Sequence, residues 1–227
     1  MRFSPSLSIL VLCLFISSVD AQDWANLEKY SDANKSVDTA STEQRVVFMG
    51  NSITEGWVNM DSIFFKENNY IGRGISGQTT PQMLIRFRPD VIDLKPAAVV
   101  ILAGTNDIAG NTGPMTIDQI VGNIFSMAEL AQAHDIKVVI SSILPVFKYP
   151  WRPEVEDPVS TIAAINTKLK MYAEENDMIY LDYFPETADA QKGFKKEYSE
   201  DGVHPTMAGY KVMEPLVKEA IAKALTN

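Results

Sequence analysis

Val46-Val47-Phe48-Met49-Gly50-Asn51-Ser52-Ile53-Thr54 sets four consecutive apolar residues directly before a glycine and a short polar turn. Apolar side chains on successive positions, rich in β-branching and only a few residues long, are the pattern of a strand covered on both faces. The same pattern returns at 97–102, 138–140 and 178–181, with Tyr70-Ile71 before Gly72 a weaker further strand. Between these runs lie segments with helical spacing. The first, 81–90, has Thr80 as a candidate cap and Pro81 in the first turn; the others are 116–133, 159–176 and 207–225. Strand and helix in alternation imply parallel strands joined by right-handed crossovers, which predicts a three-layer α/β/α sandwich.

In that architecture the loops following the strands gather at one edge of the sheet, where α/β proteins place nucleophiles and ligands. Ser52 stands at the end of the first strand. Gly104-Thr105-Asn106-Asp107 follows the 97–102 run, and residues 144–158 follow the 138–140 run. Ser199-Glu200-Asp201-Gly202-Val203-His204-Pro205 comes just before the last helix. An acid three residues before a histidine on a Gly/Pro-containing loop lets the carboxylate reach Nδ1. That contact fixes the tautomer and leaves Nε2 free as a general base. With Ser52 upstream, the reading is a Ser/His/Asp hydrolase. Taken alone, Asp-x-x-His fits equally a structural histidine capping the next helix. Only one other histidine exists, His134, placed near the end of a helix as a C-terminal cation would be.

Composition narrows the class. Met1-Arg2, the apolar core 7–16 and Val19-Asp20-Ala21 before Gln22 read as an export signal over residues 1–21. The apolar core is too short for a stable membrane span. Residues 22–227 then form a single domain with 22–44 as a polar lead-in, in which Trp24 and Leu27, with Tyr30, form the apolar face of a helix. The lone cysteine, Cys13, lies inside the signal core and is followed by Leu14-Phe15-Ile16, which argues against a lipid anchor there. Removal of the signal leaves no disulfide and no thiol nucleophile. With one usable histidine and no His-Glu-x-x-His, no metal site and no cofactor is expected. A net charge of −9 without a basic run argues against nucleic acid and anionic membranes, and oligomeric state is not legible.

Gly74-Ile75-Ser76-Gly77 reads either as a tight turn or as a close-approach loop whose backbone N–H groups face a substrate oxygen. Asn106 is similarly a turn residue or an amide donor to an oxyanion. Gly72-Arg73-Gly74-Ile75-Ser76-Gly77 matches G-x-G-x-x-G, but polar residues precede it and Thr79-Thr80-Pro81 delays the helix. A dinucleotide site is therefore set aside. The loop Phe147-Lys148-Tyr149-Pro150-Trp151-Arg152-Pro153 offers Tyr149, Trp151 and Arg152 either as walls of a substrate pocket or as surface pins.

Four blocks in this order resemble those of the SGNH (GDSL-like) hydrolase family: Gly50-Asn51-Ser52-Ile53-Thr54, Arg73-Gly74-Ile75-Ser76-Gly77, Gly104-Thr105-Asn106-Asp107 and Asp201-Gly202-Val203-His204-Pro205. The resemblance implies a flavodoxin-like sheet, with Ser52 as nucleophile, His204 as base and Asp201 as orienting acid. It implies an oxyanion hole made of the Ser52 and Gly77 backbone N–H groups and the Asn106 side-chain amide. Asn51 stands where the family usually has Asp, and Gly72 where many relatives have Asn. The activity implied is ester hydrolysis by an exported serine esterase, with O-acetyl groups on carbohydrates as the leading substrate. A lipid-directed, lysophospholipase-like esterase and a non-catalytic carbohydrate-binding protein are the alternatives.

Overall fold

A computed structural model describes residues 23–41 and 44–226. The expected export signal, 1–21, and Cys13 lie outside them. Five strands, β1 (Val46–Gly50), β2 (Tyr70–Gly74), β3 (Ala98–Ile101), β4 (Lys137–Ser141) and β5 (Ile179–Leu181), form one parallel sheet in the order β2-β1-β3-β4-β5. This is the flavodoxin-like order, whose topological switch lies between β1 and β3. The helices are α1 (Ser31–Lys35), α2 (Ser52–Met60), α3 (Ser62–Glu67), α4 (Thr80–Asp90), α5 (Thr105–Ile108), α6 (Ile117–Gln132), α7 (Pro158–Glu175), α8 (Phe184–Thr187) and α9 (Met207–Thr226).

Alternation along the strands sends successive side chains to opposite faces. Val47, Met49, Val99 and Ile101 point to the layer that contains α4, α6 and α7. Val46, Phe48, Ala98 and Val100 point to the layer that contains α2, α3 and α9. Both faces of the central strands are thus buried, which is why β1 and β3 read as unbroken apolar runs. On the second face Phe48 meets Trp57 edge-on at 5.9 Å, and Trp57 stacks on Tyr210 at 5.2 Å. Aromatic pairs of this kind contribute about 0.5–1.5 kcal/mol beyond their buried area. The second pair joins α2, which carries Ser52, to α9, which follows His204.

Two local expectations are corrected. The described part of the 22–44 lead-in does not form an amphipathic helix over Trp24, Leu27 and Tyr30. Trp24 and Leu27 are exposed and Ala25 is buried, and among the described residues of this segment only the five-residue α1 is helical. Asn26 sits at φ 55°, in the left-handed region, and the segment is held through its backbone carbonyls. Gln82 Nε2 donates to Trp24 O and Gln78 Nε2 donates to Ala25 O, each at 2.7 Å. The second correction is that α2 and α3 fill 52–67, where no helix is expected. They are separated at Asp61, whose carboxylate accepts the Phe64 N–H at 3.1 Å and so caps α3. No helix among the described residues is long and apolar enough to cross a membrane.

Candidate active site

The carboxyl ends of the strands deliver the four sequence blocks to one edge. β1 ends at Gly50, Asn51 caps α2 by accepting the Ile53 N–H at 3.0 Å, and Ser52 is the first helical residue. The cap needs one acceptor oxygen, which asparagine supplies as aspartate would. What asparagine adds is an Nδ2 group that is buried without a partner.

Ser52 Oγ lies 2.9 Å from His204 Nε2, and His204 Nδ1 lies 2.6 Å from Asp201 Oδ2. With Nδ1–H donating to the carboxylate, Nε2 of the neutral ring carries a lone pair and accepts from the serine hydroxyl. The other Asp201 oxygen accepts the Val203 and His204 N–H groups at 2.9 and 2.8 Å. Ser199 Oγ accepts the Gly202 N–H at 3.0 Å and closes the turn. Burial pushes the Asp201 carboxyl up, but the bonds from His204 and Val203 outweigh it and hold its pKa below the ordinary 3.8. The acid is therefore ionised and fixed by its own loop.

The turn after β2 runs Ile75-Ser76-Gly77-Gln78, closed by Gln78 N–H donating to Ile75 O at 3.2 Å. Gly77 has φ 78°, the left-handed value that the third residue of a type II turn requires. Among the described residues the N–H groups of Ser52 and Gly77 donate to no protein acceptor. Asn106 Nδ2 donates to Gln78 O at 2.9 Å, which uses one of its two hydrogens. Three donors therefore remain unspent on the loops that follow β1, β2 and β3. Asp107, next to Asn106, accepts the Thr80 N–H at 2.9 Å and ties its loop to the start of α4. Burial pushes its carboxyl above the ordinary range, and the Thr80 bonds oppose this without cancelling it.

The 149–152 loop divides. Tyr149 is a correction: it is fully buried and its hydroxyl pairs with Thr105 Oγ1 at 2.9 Å, so it packs the core and does not face substrate. Trp151 is exposed, with its ring 6.1 Å from the His204 ring at an interplanar angle of 29°. Arg152 reaches Gly110 O at 3.4 Å and Glu154 at 3.4 Å. Beyond Asp201 and Gly202 opens a cavity of about 490 Å³ lined by Phe147, Lys148, Phe194 and Glu200, among others. His134 sits apart from this edge, its Nδ1–H donating to Leu130 O at 2.8 Å near the end of α6.

Residues that sequence reading passes over connect the blocks. Asn111 N–H donates to Asn106 O at 3.0 Å, its Nδ2 donates to Gly77 O at 3.1 Å, and Trp151 Nε1 reaches its Oδ1 at 3.4 Å. Arg86, fully buried in α4, donates to Gly50 O at 2.9 Å, Gln78 Oε1 at 2.5 Å and Asp90 Oδ2 at 2.8 Å. A buried charge requires fixed partners, but α4 also carries Gln82, Arg88 and Asp90, so nothing local singles out Arg86.

Sheet order and site together define a flavodoxin-like α/β protein with a Ser–His–Asp hydrogen-bonded chain at its switch-point edge. The chain belongs to the GDSL-like lipase/acylhydrolase family, whose model matches residues 48–212. It is similar to a proposed acylhydrolase of Bacteroides fragilis, 51% identical, with a TM-score of 0.88 over 90% of this chain and 99% of that one. A GDSL-like lipase of Bacteroides thetaiotaomicron is 50% identical, with a TM-score of 0.86 over 88% and 98% of the respective chains. Esterase TesA of Pseudomonas aeruginosa is 27% identical over 164 residues, 70% of this chain and 75% of that protein. The lipoprotein YqeF of Bacillus subtilis is 30% identical over 131 residues, 48% of this chain, which spans 54% of that protein.

Proposed function

We propose that the protein is an exported serine esterase that removes O-acetyl groups from carbohydrates through an acyl-Ser52 intermediate. The observation that carries the reading is the continuous chain Ser52 Oγ–His204 Nε2 at 2.9 Å and His204 Nδ1–Asp201 Oδ2 at 2.6 Å. Ser52 Oγ attacks the ester carbonyl carbon as His204 Nε2 takes its proton. Charge gathering on the carbonyl oxygen is met by the Ser52 and Gly77 N–H groups and the free Asn106 amide hydrogen. Collapse breaks the ester C–O bond, and the imidazolium returns its proton to the departing alcohol. Water, deprotonated at Nε2, then attacks the acyl carbon; collapse breaks the acyl–Oγ bond, the imidazolium returns its proton to Ser52 Oγ, and the acid leaves.

Family membership and the named esterase relative support ester hydrolysis. The carbohydrate part rests on the His204 side of the site, because the leaving alcohol must lie where Nε2 can protonate it. There Trp151 offers an exposed ring, and the adjoining cavity mixes aromatic with charged and polar walls. Such walls suit an alcohol with apolar faces and many hydroxyls. Activity on acetyl, butyryl and octanoyl esters of one alcohol, beside O-acetylated oligosaccharides, tests this. Highest kcat/KM on acetylated sugar supports it; a steady rise with acyl length would instead assign a lipid-directed esterase.

A further inference from the structure

We propose that Glu55 is the positioning residue of the turn that presents the Gly77 N–H, a role that rests on the serine-esterase reading above. Glu55 lies three residues past Ser52 on α2, so the helix that starts at the nucleophile also reaches the neighbouring loop. Its Oε2 accepts the Ser76 N–H at 2.8 Å and is also bonded by the Ser76 hydroxyl. Its Oε1 pairs with Lys29 of the lead-in.

The logic lies in the peptide groups of the turn. Types I and II of a four-residue turn differ by a flip of the central peptide, here Ser76–Gly77, and only one orientation aims the Gly77 N–H at the mouth. The peptide before it is held at the Ser76 N–H by Glu55. The peptide after it is held at Gly77 O by Asn111 Nδ2, at 3.1 Å. Between two tied peptides, the central one alone has an unspent N–H. Gly74, at the base of the turn, packs so closely on α2 that a Cβ there would stand 2.4 Å from Glu55 N and 2.7 Å from Asn51 O. Tyr30 OH donates to Gly74 O at 2.5 Å from the other side. The turn therefore has a fixed base and flanks, with Glu55 the side chain that joins its outer flank to the nucleophile's helix.

A surface ion pair with Lys29 is the competing account, and such pairs contribute little. The two separate by substitution. Glu55→Ala should lower kcat by about 10–100-fold, below the loss expected for deleting a donor outright, with KM within about twofold. Glu55→Gln retains an acceptor oxygen for Ser76 and should restore most of that loss, whereas Lys29→Ala should stay within about twofold of wild type. Hydrogen exchange across 74–79 should quicken in Glu55→Ala and return towards wild type in Glu55→Gln. Unchanged kcat and exchange in Glu55→Ala would overturn the proposal, as would equal losses in both Glu55 variants. Ester hydrolysis absent from wild type would sink the esterase reading instead, and exchange would still decide whether Glu55 holds the turn.

Discussion

The Tyr210 hydroxyl donates to Ile53 O at 2.8 Å, joining the helix that follows His204 to the first turn of the helix that begins at Ser52. These residues are 157 positions apart in sequence, and the bond is buried. Together with the Tyr210–Trp57 stack it sets the spacing of the serine and the imidazole from behind the site. Tyr210→Phe keeps the stack and loses the bond. It should cost about 1 kcal/mol of stability by denaturant titration, the usual net contribution of one hydrogen bond. A drop in kcat with KM unchanged should accompany it, since the Ser52–His204 contact loosens while the cleft stays intact.

Asn106→Ala removes a side-chain donor whose other hydrogen is already committed to Gln78 O. Steady-state kinetics should show kcat lowered about a hundredfold or more, with a smaller change in KM, because one such donor contributes about 3 kcal/mol in the transition state. A thermal melt separates this from a turn role, which would lower Tm and leave kcat intact.

Asp201 supplies the acid-side behaviour. Its folded pKa lies below the ordinary 3.8, so its contribution to stability is present above that value and is lost as pH falls through the folded pKa. The Tm difference between wild type and Asp201→Asn should therefore shrink as pH falls below 3.8. At neutral pH Asp201→Asn should lower kcat by several orders of magnitude, ~10⁴ in the serine-protease precedent, by favouring the wrong imidazole tautomer. An unchanged rate would instead describe a Ser52–His204 pair with Asp201 shaping the loop.

Trp151→Ala tests the alcohol side. KM for an O-acetylated oligosaccharide should rise several-fold while kcat/KM for a small aryl acetate changes little. Equal effects on both substrates would confine Trp151 to packing beside His204.

Legibility in the sequence follows the range of the interactions. Strands β1, β3 and β4 are readable because burial on both faces forces consecutive apolar residues, as at Val46-Val47-Phe48-Met49, and the edge strand β5 keeps an apolar run although Ile179 and Tyr180 are only half-buried. β2 is weaker because Gly72, Arg73 and Gly74 occupy positions that other strands fill with apolar side chains. The Asp201–His204 contact is readable because it closes within one turn. Tyr149 is misplaced by sequence reading because its burial depends on Thr105, from the loop after another strand. Arg86 and Asn111 are silent for the same reason: each acts on backbone carbonyls far away in the chain, and such partners leave no local pattern. Trp24 and Leu27 mislead in the opposite sense, since helical spacing there is outweighed by carbonyl bonds to Gln78 and Gln82.

The most direct measurement is reaction with a fluorophosphonate probe followed by mapping of the labelled residue, because capture requires an activated serine beside a working oxyanion site. One label per chain is expected, on Ser52, with labelling and ester hydrolysis both abolished in Ser52→Ala while the melt is unchanged. Labelling of a different serine, or ester hydrolysis persisting undiminished in purified Ser52→Ala, would contradict it.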